Sequence, residues 1–115
     1  MEVRVIQGNP TIIWADGEID LSNANLLEEA LMEAARECPQ GFIIDFSEAT
    51  YLDSAGIQAM LAAYRQVLDA GGRIAIVIAR PTVKEIFDII CANQLPNFFI
   101  YDNLEAAKQA AFAEG

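Results

Sequence analysis

Leu52-Asp53-Ser54-Ala55-Gly56-Ile57 holds the residue types whose spacing could do chemistry in this chain. The step joins a strongly apolar segment, Phe42-Ile43-Ile44-Asp45-Phe46, to the start of a long amphipathic one. A hydroxyl at such a helix entrance lies where backbone N–H groups lack partners and the helix dipole is positive. Asp and Ser are both strong helix-capping residues. The step is therefore either a helix cap or a place where the Ser54 hydroxyl is itself modified.

Catalytic uses of that hydroxyl meet an obstacle in composition. The sequence contains no histidine, which removes His-based acid–base catalysis, Ser-His-Asp triads and most zinc sites. Ser54 has no base to serve it and no nucleophile-elbow context. A phosphoacceptor aspartate with Mg²⁺ needs several carboxylates converging on one hard cation. It also wants an acidic pair after the first strand and a lysine on a late one, whereas Arg80 is the only basic residue near a strand end. Gly71-Gly72 precedes a strand instead of following one, and no Walker lysine or G-x-G-x-x-G occurs. Cys38 and Cys91, without histidine, are too few for a metal site and read as reduced core thiols. The chain thus reads as an interaction domain with no catalytic residue, metal or cofactor, not as an enzyme.

The elements that must position Ser54 follow from hydrophobic periodicity. Glu2–Gln7 and Thr11–Ala15, separated by the turn residues Gly8-Asn9-Pro10, predict an antiparallel hairpin. Leu27, Ala30, Leu31, Ala34 and Cys38 make a helical stripe capped by Asp20 or Ser22 and stopped by Pro39-Gln40-Gly41. Phe42–Phe46 and Ile74–Ile78 read as strands buried on both faces. Between them Ile57, Met60, Leu61, Tyr64, Val67 and Leu68 predict a helix from about Ser54 to Ala70, stopped by Gly71-Gly72. Pro81 suits the first turn of a helix with Val83, Ile86, Phe87, Ile90 and Cys91 inward, broken at Leu95-Pro96-Asn97. Phe98–Tyr101 reads as a last strand, and Asn103 caps a closing helix.

The order is β-β-α-β-α-β-α-β-α, an α/β fold with a mixed, mostly parallel sheet of four to five strands and about four helices. Its consequence for function is spatial. The segments Gly17–Ser22, Ser47–Ser54, Ala79–Pro81 and Tyr101–Asn103 leave the C-terminal ends of strands on one sheet edge, where α/β folds gather their sites. Asp20 and Ser54 are expected to be neighbours there.

A chain of 115 residues with 54% hydrophobic and 21% charged residues fits one domain, 1–115. No apolar run approaches the ~20 residues that span a bilayer, and Met1-Glu2-Val3-Arg4 lacks the features of a signal peptide. A cytoplasmic protein without direct membrane insertion is expected. Seventeen acidic against seven basic residues give a net charge of −10. Such a field repels nucleic acid and anionic lipid and favours a basic protein partner, or serves only solubility.

For an interaction domain, modification is the informative fate of Ser54. A phosphoserine carries about −1.5 to −2 charges and three acceptor oxygens, and a helix N-terminus tolerates that anion. The fold need not change, so a switch would act on the docking surface.

Three stretches together resemble the STAS domain of bacterial anti-sigma factor antagonists: Gly17-Glu18-Ile19-Asp20; Ile43-Ile44-Asp45-Phe46 leading to Leu52-Asp53-Ser54-Ala55-Gly56; and Gly71-Gly72-Arg73 before a strand ending near Pro81. Val83-Lys84-Glu85-Ile86-Phe87 matches a further helical pattern of that family. The resemblance covers nearly the whole chain and implies a STAS-type fold. It implies that Ser54 is phosphorylated by an anti-sigma factor serine kinase, that Asp20 takes part in that recognition, and that a metal-dependent serine phosphatase resets the switch. ATP would belong to the kinase. The implied docking surface comprises Asp20, Asp53, Ser54, Gly56, Ile57 and Gln58. Members often carry a second Ser or Thr where this chain has Ala55, leaving Ser54 the sole hydroxyl of the motif. They commonly continue Leu-Gly where it has Ile57-Gln58, and Gln58 lies one helical turn beyond Ser54. STAS domains also serve as non-enzymatic subunits of lipid or anion transport systems and of stress-signalling scaffolds, in which Ser54 would only cap a helix.

Overall fold

The computed structural model describes residues 1–90 and 95–112. Its elements run in chain order β1 (Val3–Ile6), β2 (Ile12–Ala15), β3 (Gly17–Ile19), α1 (Ala24–Glu37), β4 (Gly41–Asp45), β5 (Ala49–Leu52), α2 (Ser54–Asp69), β6 (Arg73–Val77), α3 (Pro81–Ile90), β7 (Phe98–Tyr101) and α4 (Leu104–Ala111).

A five-stranded sheet in the order β1-β2-β4-β6-β7 forms the frame. The β1–β2 hairpin is antiparallel, with Val3 opposite Ala15 and Ile6 opposite Ile12. Every other neighbouring pair is parallel. Alternation along the central strands feeds two cores. Ile13, Phe42, Ile44, Ile74 and Ile76 point to one face and pack with Leu27 and Leu31 of α1, Met60 and Val67 of α2, and Val83 and Phe87 of α3. Ile12, Ile43, Ala75 and Val77 point the other way and pack with Ala107 and Ala111 of α4. Burial of both faces explains why these strands read as continuous apolar runs instead of alternating ones.

The expected element order needs one correction. Two short strands, β3 and β5, lie within the connecting segments Gly17–Ser22 and Ser47–Ser54 and pair in parallel as a separate two-stranded sheet. Ile19 lies beside Leu52 and Glu18 beside Tyr51. Ile19, Ala49 and Leu52 are buried while Glu18 and Tyr51 are exposed, so one face seals the core and the other faces solvent. Strands of three and four residues are too short for a period-2 pattern to announce them.

Helix starts follow side-chain chemistry with a second correction. Neither Asp20 nor Ser22 caps α1. Asn23 occupies the cap position without a side-chain cap bond. Its Oδ1 instead accepts the Asp20 N–H at 3.0 Å, and its amide donates to the Glu18 carbonyl at 2.9 Å. Within the expected α1 stripe Leu27, Leu31 and Ala34 are buried, Ala30 and Cys38 are half-buried, and Ala35 joins the core. Asn103 caps α4 as expected, accepting from Ala106 N–H at 2.7 Å. Gly71, with φ of 84°, supplies the left-handed stop after α2. Cys38 is a free thiol whose Sγ reaches Thr11 Oγ1 at 3.5 Å. Val83 and Phe87 are buried on α3, with Lys84, Glu85 and Asp88 outward. The readings for Cys91 and for the Ile90 side chain lie outside the described residues. Among the described residues no helix is long and apolar enough to cross a membrane.

Candidate functional site

Parallel alignment of β2, β4, β6 and β7 puts their C-terminal ends on one edge. The β3–β5 ribbon continues the chain beyond that edge, and its ends deliver Asp20 to the start of α1 and Asp53 to the start of α2.

Asp53 settles the choice between capping and exposure at the central step. Its backbone is extended (φ −101°, ψ −174°) and its side chain caps α2, with Oδ1 accepting from Ala55 N–H at 2.9 Å and Gly56 N–H at 3.3 Å. Its second oxygen, Oδ2, accepts from Leu21 N–H at 3.2 Å. The Asp53 N–H donates to the Ile19 carbonyl at 3.1 Å. One residue thus holds the helix start, the β3–α1 turn and the ribbon together. Ser54 follows as the first residue of α2 and is exposed. With the cap supplied by Asp53, its hydroxyl is left without a hydrogen bond among the described residues.

Asp20 heads a second knot. Its Oδ1 accepts from both Ser22 N–H, at 2.9 Å, and Ser22 Oγ, at 2.5 Å. Its carbonyl accepts from Asn23 N–H at 3.1 Å and Ala24 N–H at 2.8 Å. The Ser22 hydroxyl bond, reinforced by the Ser22 and Asn23 backbone, holds the Asp20 carboxyl below the usual carboxylate range. The residue is half-exposed and carries full negative charge at neutral pH.

Of the remaining expected surface residues, Gln58 is exposed. Gly56 and Ile57 require correction, because both face inward. Ile57 is 2% exposed and belongs to the core. Gly56 is buried against the ribbon: a methyl group there would stand 2.4 Å from Leu52 Cδ1 and 2.9 Å from Ile19 Cγ2. Its role is to let the first turn of α2 seat on β3 and β5. The helical period that makes Ile57 a core residue also turns Gly56 toward the ribbon.

Beside Ser54 a shallow groove of about 240 Å³ runs between the starts of α1 and α2, lined by Leu21, Ala24, Asn25, Glu28, Ala55, Gln58 and Ala59. Leu21, 82% exposed, was not among the residues expected here. Its signal in the sequence was a large apolar side chain set between Asp20 and Ser22, outside any helical stripe. Among the described residues no three His, Cys, Asp or Glu side chains converge to hold a metal ion.

Comparison with known proteins agrees with this architecture. The sequence profile of the STAS domain matches residues 1–107. BtrV of Bordetella bronchiseptica, named by inference as an anti-sigma factor antagonist, is 27% identical over 99 residues, spanning 86% of this chain and 84% of BtrV. A crystal structure of an anti-sigma factor antagonist from Mycobacterium paratuberculosis superposes with a TM-score of 0.83 at 23% identity, covering 96% of this chain and 92% of that one. The phosphorylated form of the Bacillus cell fate determinant SpoIIAA superposes with a TM-score of 0.68 at 18% identity, covering 94% and 96% of the two chains. At these identities the structural matches establish the fold.

Proposed function

This chain belongs to the STAS domain family, and we propose that it is an anti-sigma factor antagonist switched by phosphorylation of Ser54. The unmodified chain binds an anti-sigma factor that is itself a serine kinase, and so frees the sigma factor. The kinase then transfers the γ-phosphoryl group of ATP to Ser54 Oγ. ADP leaves, and the hydroxyl proton passes to a base on the kinase. A metal-dependent serine phosphatase hydrolyses the phosphoester and restores the binding form.

The observation that carries this reading is the division of labour at α2: Asp53 caps the helix, and the Ser54 hydroxyl stands exposed and unengaged beside it. A hydroxyl needed for a cap would be lost to modification at a cost in stability; this one is not needed. The relatives named as antagonists support the partner class, and the phosphorylated form of SpoIIAA supports a fold compatible with such a modification. Added phosphate would join the carboxylates of Asp53 and Asp20, so a partner seated here would meet concentrated negative charge. Burying that doubly charged, strongly hydrated group at an interface costs several kcal/mol, roughly 100-fold in affinity.

Incubation with the anti-sigma factor kinase and ATP, read by intact mass and peptide mapping, tests the proposal. One phosphate is expected on the peptide containing Ser54, and none on Ser54→Ala. An active kinase that leaves Ser54 unmodified removes the switch. Recovery of the unmodified chain in a stable membrane complex identifies a structural STAS subunit instead.

A further inference from the structure

Two large apolar side chains stand out at the same rim, Leu21 at 82% and Tyr51 at 48% exposure. A single exposed leucine is ordinary on a protein surface. These two differ in standing on the backbone that leads into Asp53 and Ser54. Leu21 is anchored through its N–H to Asp53 Oδ2, and Tyr51 sits in the β3–β5 ribbon opposite Glu18, three residues before Ser54. The buried partners Ile19 and Leu52 hold the ribbon's inner face in the core, which commits Tyr51 to the outside.

Charge around Leu21 is of one sign. Asp20 and Asp53 flank it through the turn, Glu18 lies on the outer face of the ribbon, and the groove beneath contains Glu28 and neither Lys nor Arg. The cations of this sheet edge, Arg80 and Lys84, belong to the start of α3. An apolar side chain rimmed by carboxylates suits a protein surface with an apolar pocket bordered by Lys or Arg. It does not suit nucleic acid, which the same charges repel, nor a second copy of a chain with net charge −10.

We infer that Leu21 and Tyr51 are the apolar anchors with which this chain docks on its kinase partner, Leu21 entering a pocket rimmed by basic residues. The inference rests on the antagonist reading above. A few side chains buried in well-packed pockets carry most of the energy of an interface, while rim charges set approach and selectivity. With the anchors on the segments that lead into Asp53 and Ser54, the bulk and hydration of a phosphate on Ser54 would hold them off the partner without unfolding the domain.

The test is titration calorimetry of the unphosphorylated chain against the purified anti-sigma factor kinase that modifies Ser54, with thermal melts of every variant. Leu21→Ala is expected to weaken binding roughly 30-fold and Tyr51→Ala at least about fivefold, with melting temperatures unchanged. Leu21→Met should bind as wild type does, and Glu28→Lys should bind more weakly with a flatter salt dependence. If both alanine variants bind with wild-type affinity while Ser54→Asp does not, the anchors are overturned and the antagonist reading stands. Weakened binding that merely tracks a lowered melting temperature in both also overturns them. If the wild-type chain binds no anti-sigma factor kinase, the antagonist reading falls and this inference with it.

Discussion

The Asp53 carboxylate accepts the Leu21 N–H through Oδ2 while Oδ1 caps α2. The turn before α1 and the start of α2, 32 residues apart in sequence, are thereby locked by one side chain. Removing it should act on both. Asp53→Ala is expected to cost about 1–2 kcal/mol by urea unfolding, from the lost cap and the Leu21 N–H left unpaired. Asp53→Asn keeps an oxygen for the cap and should cost less. Equal stability of Asp53→Ala and wild type would mean that the cap contributes nothing.

Asp20 gives a prediction in pH. Its carboxyl is held below the usual range chiefly by the Ser22 hydroxyl. A group with a depressed folded pKa stabilises the fold above its unfolded value, and the contribution is lost as pH falls through the folded value. The Asp20–Ser22 contact is therefore intact at neutral pH and released only on acidification beyond the ordinary aspartate range. Ser22→Ala should move the Asp20 titration upward, as read by carboxyl-carbon NMR. An unmoved titration would show that the hydroxyl does not set it.

Gly56 supplies a packing prediction. Adding a methyl group within 2.4 Å of Leu52 Cδ1 and 2.9 Å of Ile19 Cγ2 forces two fully buried side chains to shift. Gly56→Ala should destabilise by about 1–3 kcal/mol despite alanine's better helix propensity. A stabilised variant would mean that the ribbon yields freely.

At the proposed switch, Ser54→Asp should leave thermal stability nearly unchanged, because the residue is exposed and does not cap the helix. Kinase binding should fall by roughly 100-fold. Unfolding of this variant in a melt would assign Ser54 a structural role.

The sheet was legible in sequence where burial was two-sided. Phe42–Ile44 and Ile74–Val77 could be placed because every residue is apolar, and α2 because six apolar residues keep a helical period over three turns. The hairpin followed from Gly8-Asn9-Pro10. The β3–β5 ribbon was not legible, since its pairing is long-range and only Ile19, Ala49 and Leu52 report its inner face. For the same reason Asp20 and Ser54 could be expected on one edge from strand direction, but the Asp53–Leu21 bond could not. Capping chemistry was readable at Asn103, open between Asp53 and Ser54, and misleading at Asp20 and Ser22, since the Asp20 carboxylate turns to Ser22 instead of to the helix. Gly56 and Ile57 belong to the docking surface that the family resemblance implies, although helical geometry turns both inward, as the apolar stripe already has it for Ile57.

The ribbon also bears on the kinetics of recognition. Gly17 N–H to the Glu48 carbonyl and Asp53 N–H to the Ile19 carbonyl close this rim within the free chain, so the entropy of ordering it is spent during folding, before any encounter. Docking can then proceed as a rigid-body event, with little loop rearrangement to slow association or weaken the complex. Amide exchange at these positions would already be slow in the unbound protein. Association would gain little further protection there.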